Sequence, residues 1–370
     1  MKPLNYIPKF VTIPWRMTRF FIRLIHYSYR PKRRFDGDSL RLFYKLIKLY
    51  VSEGYTPEES YHYGFLYKNI TEKNNPTYVS RKKMSVIQRK INPVSWAPLT
   101  EEKGIFYRIC TECKIPIPKL FGIVFNNLPG WSYKGSQITN IDEWNRFIIN
   151  DIPDEFVLKP SRGVYGKGIK IYKRNADLFT DEKNTSSNAE SIYRKIRTDP
   201  EYNTFVIQER IRNHQDFNIL SQSEYLQTAR VITNIRKDGT CHIVYAYLKL
   251  IVGANIVDNQ NYGRTGNLLS KININSGSLE ETIYLSSKPH GIEILEKHPE
   301  SGFQLNQFSI PHWEDVCQTA INAAHRFSPI QAIGWDIAVA EKGPVVIEGN
   351  TWFDPPKFGD IEMILAEIKK

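Results

Sequence analysis

Apolar residues recur at steps of three and four in the first part of the chain and at steps of two later on, which predicts helices first and strands after them. Between Pro14 and Pro31, Met17, Phe20, Phe21, Leu24 and Ile25 fall on one side of a helix, with Arg16, Arg19, Arg23, His26 and Arg30 on the other. Leu40, Phe43, Leu46, Ile47 and Tyr50 keep the helical step, so residues 36–100 read as a helical N-terminal region behind a basic amphipathic arm, residues 1–35. Tyr61, His62, Tyr63 and Tyr67 in that region either stack a sugar or base or simply fill space. Glu101 to Cys113 is again helical and is closed by Ile115-Pro116-Ile117-Pro118.

Strand patterns follow. Phe156-Val157-Leu158-Lys159 and Ile169-Lys170-Ile171-Tyr172 flank a glycine-rich loop, and Phe205 to Ile211 reads as a strand running into a linker. Asp181 to Ser191 is polar and small, the pattern of a mobile loop. Near the end, Gly334 to Val339 and Val345 to Asn350 alternate around Glu341-Lys342-Gly343-Pro344, the signature of a β-hairpin.

Composition adds limits. With 370 residues the chain can bury a sizeable core in two or three units. No run of about 18 apolar residues appears and no secretory leader is evident, which places the chain in the cytoplasm. Four cysteines suit a reducing compartment, and Cys110-Thr-Glu-Cys113 has no second pair to complete a zinc site. The net charge of +11 is concentrated in the arm, where Lys2, Lys9, Arg16, Arg19, Arg23, Arg30, Lys32, Arg33 and Arg34 precede the first acidic residue, Asp36. That distribution argues against nucleic acid as a partner. It suits a helix on an anionic membrane surface, a helix docked on a membrane-bound protein, or one packed on the body with its arginines solvated.

Candidate chemistry lies in two places. Glu348 and Asn350 are two apart and share a face of an extended strand, and one bulge or an odd-length loop brings Asp336 beside them. Two carboxylates and an amide oxygen suit magnesium, which fills its remaining positions with substrate phosphates; the alternative is an ordinary hairpin with a polar face. In Ser161 to Gly168, Gly163, Gly166 and Gly168 let backbone amides approach an anion, with Lys159, Arg162 and Lys167 to neutralise it. The spacing is not that of a Walker motif, and strands flank the loop where a dinucleotide loop would open a helix.

The order of these features resembles the ATP-grasp superfamily over about residues 100 to 355: Glu102-Lys103-Gly104 opening a helix, Val157-Leu158-Lys159-Pro160 with its glycine loop, the Val206 to Ile211 hinge, the Asp336 strand and Glu348-Gly349-Asn350. More narrowly it resembles the sugar-transfer-associated ATP-grasp proteins of bacterial polysaccharide loci. That match rests on Ala229-Arg230-Val231-Ile232-Thr233, Val257-Asp258-Asn259 with Gly263 to Asn267, Lys297-His298-Pro299, Ile310-Pro311-His312-Trp313 and Ile333-Gly334-Trp335-Asp336.

The resemblance implies an α+β, ATP-grasp fold, with two α+β subdomains (residues 101–212 and 213–370) holding ATP between them behind the mainly helical N-terminal region. It implies Lys103 and Lys159 on the nucleotide phosphates, Gly163 to Gly168 as the phosphate lid, and Gln208, Glu209 and Ile211 as the adenine hinge. Asp216 is then the ribose candidate, Arg230 a cation for the transferred phosphate, and Asp336, Glu348 and Asn350 the Mg2+ ligands. His298 and His290 are candidates for substrate contact or proton transfer. Glu300-Ser301 stands after Pro299 where the family usually has Asp-Thr, which weakens the case for His298.

The implied activity is an ATP-dependent ligase joining a carboxylate to an amine through an acyl phosphate, with an amino acid and a sugar or uronic acid as substrates in surface polysaccharide synthesis. Alternatives are a kinase on the same fold, separable by a phosphorylated product without free phosphate, and a non-catalytic membrane-associated scaffold. The partners expected are a small-molecule or glycan substrate and, through the arm, an anionic membrane surface or a membrane-bound glycosyltransferase.

Overall fold

A computed structural model describes residues 9–29, 38–66, 78–163, 166–285, 292–359 and 361–369. Lys2, Arg30, Pro31, Lys32, Arg33, Arg34, Asp36, Tyr67 and His290, named above, lie outside the described residues, as do residues 164–165 of the glycine-rich loop.

Helices α1 (Lys9–Ser28), α2 (Ser39–Glu53), α3 (Pro57–His62) and α4 (Arg81–Ile91) open the chain. Their ends follow local chemistry: Asp38 accepts from the Arg41 amide at 2.8 Å, Gly54 closes α2 with φ +78°, and Thr56 and Glu59 form a reciprocal capping box with Pro57 behind it. Leu24, Leu42, Leu46, Tyr61 and Leu66 form a small core of their own. Tyr61, His62 and Tyr63 are buried, and Tyr63 stacks on Tyr78 with ring centroids 4.4 Å apart, so these rings fill space. Leu24 turns inward while Phe21, Ile22 and Ile25 stay exposed, and Arg23 pairs with Glu58 at 3.0 Å. Among the described residues no helix is long and apolar enough to cross a membrane.

Helices α5 (Pro98–Glu101) and α6 (Lys103–Glu112) lead into the first sheet. Cys110 is buried in the core, and all four cysteines are free thiols. The sheet holds β1 (Leu120–Phe125), β2 (Gly130–Ser132), β3 (Gln137–Ile138), β4 (Glu155–Pro160), β5 (Lys170–Asn175), β6 (Leu178–Thr180), β7 (Ser186–Asn188) and β8 (Thr204–Glu209). Its order is β3-β2-β1-β8-β4-β5-β6-β7. Helices α7 (Ile141–Asn150) and α8 (Ala189–Arg197) cover one face through Trp144, Phe147, Ile148, Ile192 and Ile196. Helix α7 has local sequence signals of its own: the Asn140 cap, Asp142 and Glu143 in the first turn, and apolar residues at 144, 147 and 148.

The expected mobile loop from Asp181 to Ser191 is instead the β6–β7 hairpin followed by the first turn of α8. Asp181 accepts from the Lys183 and Thr185 amides, and Lys170 pairs with Asp181 and Glu182 at 2.9 Å each. Small polar residues here build an Asx-type turn, which composition alone does not distinguish from a loop.

The second sheet follows helix α9 (Gln215–Ser221) and holds β9 (Thr228–Ile235), β10 (Cys241–Leu250), β11 (Leu268–Ile272), β12 (Leu279–Leu285), β13 (Ile292–Ile294), β14 (Ala332–Ala340) and β15 (Gly343–Asn350). Its order is β13-β12-β11-β10-β9-β14-β15, antiparallel throughout. One face packs on α10 (Trp313–Arg326) in the largest core, and the other meets α4 and α11 (Ile361–Lys369). Asn92, just past α4, exchanges hydrogen bonds with the Ala332 backbone at 2.9 Å in both directions, fastening the N-terminal region to β14.

Candidate functional site

A cavity of about 330 Å³ opens between the two sheets. Its floor is set by strand register. In the β14–β15 hairpin Asp336 lies opposite Glu348, but the next pair is Ile337 with Val346, leaving Ile347 as a bulge. That extra residue keeps Asp336 and Glu348 on one face, with Asn350 two residues further along it. On the other side Asp336 pairs with Arg230 of β9, and Arg230 with Tyr247 of β10. Glu348, Asp336, Arg230 and Tyr247 therefore form one row across four strands, and Lys249 lies on the same face two residues past Tyr247.

The row is held by charge. Arg230 grips Asp336 through Nε and Nη2 at 2.6 and 3.0 Å, and Lys249 Nζ reaches the same carboxylate at 2.9 Å. Burial alone would raise the Asp336 carboxyl, but Arg230 and Lys249 hold it well below the usual carboxylate range. Asp258 stands behind Lys249, accepting from the Thr228 amide and hydroxyl at 2.9 and 2.5 Å.

The opposite wall comes from α6 and the first sheet. The Lys103 amide donates to the Ser161 carbonyl and the Gly104 amide to Ser161 Oγ, both at 3.0 Å, so the start of α6 is tied to the start of the glycine loop. Lys103 Nζ then sits 3.3 Å from Glu348. Lys159 at the end of β4 donates to the Tyr107 phenol at 2.8 Å, and that phenol donates to the bulge carbonyl of Ile347 at 2.9 Å. Burial, reinforced by Lys103 and opposed by Glu348 and Asp336, pushes Lys159 down to about 7.

Gly163, Gly166 and Lys167 line the cavity. Gly166 has φ +71°, and a Cβ there would come within 2.8 Å of Val257, so Gly166 sits close against the connection that follows β10 in the second sheet. Gly168, φ +78°, packs against Pro160 and does not line the cavity. Arg162 is exposed and also off the wall, and Lys167 is paired with Glu201 at 2.6 Å. At the far end Gln208, Glu209 and Ile211 line the wall. The Gln208 amide oxygen is buried with no hydrogen-bond partner among the described residues, while the Glu209 carboxylate is taken by the Lys119 amide at 3.1 Å.

Two expectations are corrected. Asp216 does not line the cavity: it sits in the first turn of α9, 3.4 Å from His214, and the carboxylate beside the hinge is Glu224, 2.9 Å from Arg210. His298 is also off the wall and fully buried, with Nε2 donating to the Ile251 carbonyl at 2.9 Å and Nδ1 accepting from the Glu300 amide at 3.3 Å. Burial lowers its pKa, both ring nitrogens are used, and it braces a loop.

Lys249, Tyr247 and Glu224 were missed as site residues. Lys249 had a signal, a lysine inside the apolar run Val244 to Leu250. Among the described residues no group of three or more His, Cys, Asp or Glu is arranged to hold a metal. Asp336, Glu348 and Asn350 nonetheless make a hard-cation donor set, because the Asn350 amide nitrogen donates to the Gly334 carbonyl at 3.3 Å and to Glu348 Oε1 at 3.4 Å, and its oxygen has no protein donor among the described residues. A cation there would share Asp336 with Arg230 and Lys249.

The family model for sugar-transfer associated ATP-grasp proteins matches residues 83–361. No curated protein matches the chain. Similar solved structures include an ADP complex of N5-carboxyaminoimidazole ribonucleotide synthetase (10% identity over 68% of this chain and 45% of that one, TM-score 0.39). Others are a biotin carboxylase from Campylobacter jejuni (14%, 74% and 46%, TM-score 0.39) and an L-amino acid ligase from Bacillus licheniformis (9%, 68% and 40%, TM-score 0.35). The chain thus spans under half the length of each of these three.

Proposed function

The chain belongs to the sugar-transfer-associated ATP-grasp family, and from that premise we propose that it is an ATP-dependent carboxylate–amine ligase acting on an amino acid and a sugar or uronic acid in surface polysaccharide synthesis. The observation that carries this reading is the row Glu348, Asp336, Arg230 and Tyr247 facing Lys103 and Lys159 across one cavity. With Lys249 beside that row, four cations and two carboxylates gathered in one cleft suit a polyphosphate with its counter-ion, where phosphoryl transfer depends on positioning and charge neutralisation.

Each group then has a task. Gln208 and the Glu209–Ile211 backbone take the adenine edge, the orphaned Gln208 oxygen serving as acceptor. Glu224, beside the hinge, replaces Asp216 as the acid for the ribose hydroxyls. Lys103, Lys159, Arg230 and Lys249 neutralise the phosphates. Asp336, Glu348 and Asn350 would hold Mg2+, which when bound offsets the repulsion between an anionic carboxylate and the γ-phosphate. The substrate carboxylate attacks the γ-phosphorus and ADP leaves; the amine then attacks the acyl carbon, loses a proton, and inorganic phosphate leaves. We place the protein in the cytoplasm, with α1 as a contact for an anionic membrane surface or a membrane-bound glycosyltransferase, a reading supported by exposed Phe21, Ile22 and Ile25 beside basic residues.

The test is to incubate the full chain with ATP, Mg2+ and pools of amino acids and sugar acids, following phosphate release and product mass. A product one water lighter than its two parents, formed with ADP and phosphate, supports the ligase; a phosphorylated product without free phosphate supports the kinase instead. Glu348→Gln should be inactive with unchanged circular dichroism, and full activity in that variant removes the metal assignment.

A further inference from the structure

Beyond the charged row the cavity continues to a second end, away from the hinge. Arg81, the first residue of α4, lines it, and among the described residues it is the one cavity-lining residue that precedes the family-matched segment 83–361. Arg81 pairs with Asp354 at 2.6 Å and donates to the Tyr262 phenol. Tyr262 occupies the left-handed region, φ +55° and ψ +39°, which a bulky side chain rarely adopts. His62 of α3 stacks on its ring with centroids 6.3 Å apart. The helical N-terminal region thus supplies and braces this end.

Five lysines line the cavity. Lys103, Lys167 and Lys249 are paired with Glu348, Glu201 and Asp336. Lys159 and Lys357 have no carboxylate partner among the described residues. Lys159 sits where the nucleotide phosphates are proposed to bind, and its free charge is accounted for. Lys357 sits at the Arg81 end, where its ammonium donates to Gln260 Oε1 at 3.1 Å and lies 5.6 Å from the Tyr262 ring centroid. Burial pushes it down to about 8, with Asp354 opposing and Arg81 reinforcing. An amide oxygen and a ring face compensate a partly buried cation only in part.

Resting on the ligase reading, we propose that Lys357 anchors an oxyanion of the acceptor, a carboxylate or a phosphate, at a subsite walled by Arg81 and Tyr262. The acceptor therefore carries an anionic group remote from the atom that reacts. The planar Arg81 fork and the Asp354 carboxylate lie beside that anchor for polar neighbours such as hydroxyls. Because Arg81 and the bracing His62 lie outside the family-matched segment, choice among acceptors is assigned to the N-terminal region, separately from nucleotide binding.

The experiment measures binding of D-glucuronate and D-glucose 1-phosphate against neutral D-glucose, and of L-glutamate against L-glutamine, which lacks only the side-chain carboxylate, with and without MgADP. Full-length wild type, Lys357→Met and Lys357→Arg are compared. At least one anionic probe should bind wild type about tenfold more tightly than its counterpart, with that preference lost in Lys357→Met and kept in Lys357→Arg. The probe that shows it names the source of the oxyanion. No preference in wild type, or one that survives Lys357→Met, overturns the anchor. MgADP affinity should be equal in all three proteins; a wild type that does not bind MgADP counts against the nucleotide reading and leaves the anion comparison standing by itself.

Discussion

Replacing Asp336 by Asn keeps the side-chain shape but turns an amide toward a guanidinium and an ammonium. Three charge-assisted contacts are lost, two to Arg230 at 2.6 and 3.0 Å and one to Lys249 at 2.9 Å, all among side chains about a tenth exposed or less. Removing one partner of a buried ion pair costs about 3–5 kcal/mol, because the other charge stays desolvated. Two cations are stranded here, but Glu348 remains beside the row and takes up part of the loss, so the lower end, ~3 kcal/mol, is expected. For a cooperative unit of about 200 residues that is roughly 6–12 °C in melting temperature. Urea unfolding followed by tryptophan fluorescence reads it directly, since Trp335 is fully buried next to Asp336.

A double-mutant cycle with Arg230→Met should show strong non-additivity, the second change costing far less once the first is made. The pH dependence has a defined sign. The folded carboxyl lies below its unfolded value of about 3.9, so its contribution is present above about pH 4 and lost as pH falls further through the folded value. The difference between wild type and variant should therefore be flat around neutrality and shrink in acid. A loss below ~1 kcal/mol at neutral pH would mean that solvent screens the pair like a surface bridge, and the account of a dry, charge-balanced floor would fail.

Other outcomes follow from the same geometry. Lys159, at about 7 in the free protein, should be reprotonated by nucleotide phosphates, so calorimetry in two buffers should show proton uptake on ADP binding near pH 8, little near pH 6, and none in Lys159→Met. His298→Ala should cost about 1–3 kcal/mol by stranding the Ile251 carbonyl while leaving kcat unchanged; a kcat collapse at normal stability would return His298 to the chemistry. Because burial lowers the folded pKa of His298, its contribution is full above about pH 6.5 and declines as pH falls below that. Serine at Phe21, Ile22 and Ile25 together should weaken sedimentation with acidic vesicles on the order of tenfold without altering the melting temperature, whereas unchanged sedimentation would exclude that face as a lipid contact.

Periodicity and spacing determine whatever depends on near neighbours in the chain. The i, i+2 step put Glu348 and Asn350 on one face, three glycines between strand patterns marked a loop whose Gly163 and Gly166 line the cavity, and the order of motifs carried the family. Asp216 and His298 went astray because a polar residue near a motif reads the same whether it faces a cavity or braces a loop; only its burial and partners distinguish the two. The bulge at Ile347 and the registers joining Asp336 to Arg230 and Arg230 to Tyr247 are set by packing between strands far apart in sequence. Local pattern carries the face of a strand because side chains alternate along it, but it holds no record of which strand lies alongside or in what register. Lys249 beside Asp336, Lys357 with no carboxylate partner among the described residues, and an N-terminal region that supplies Arg81 to the cavity wall were decided by tertiary structure alone, because each depends on distances between residues that the chain order keeps apart.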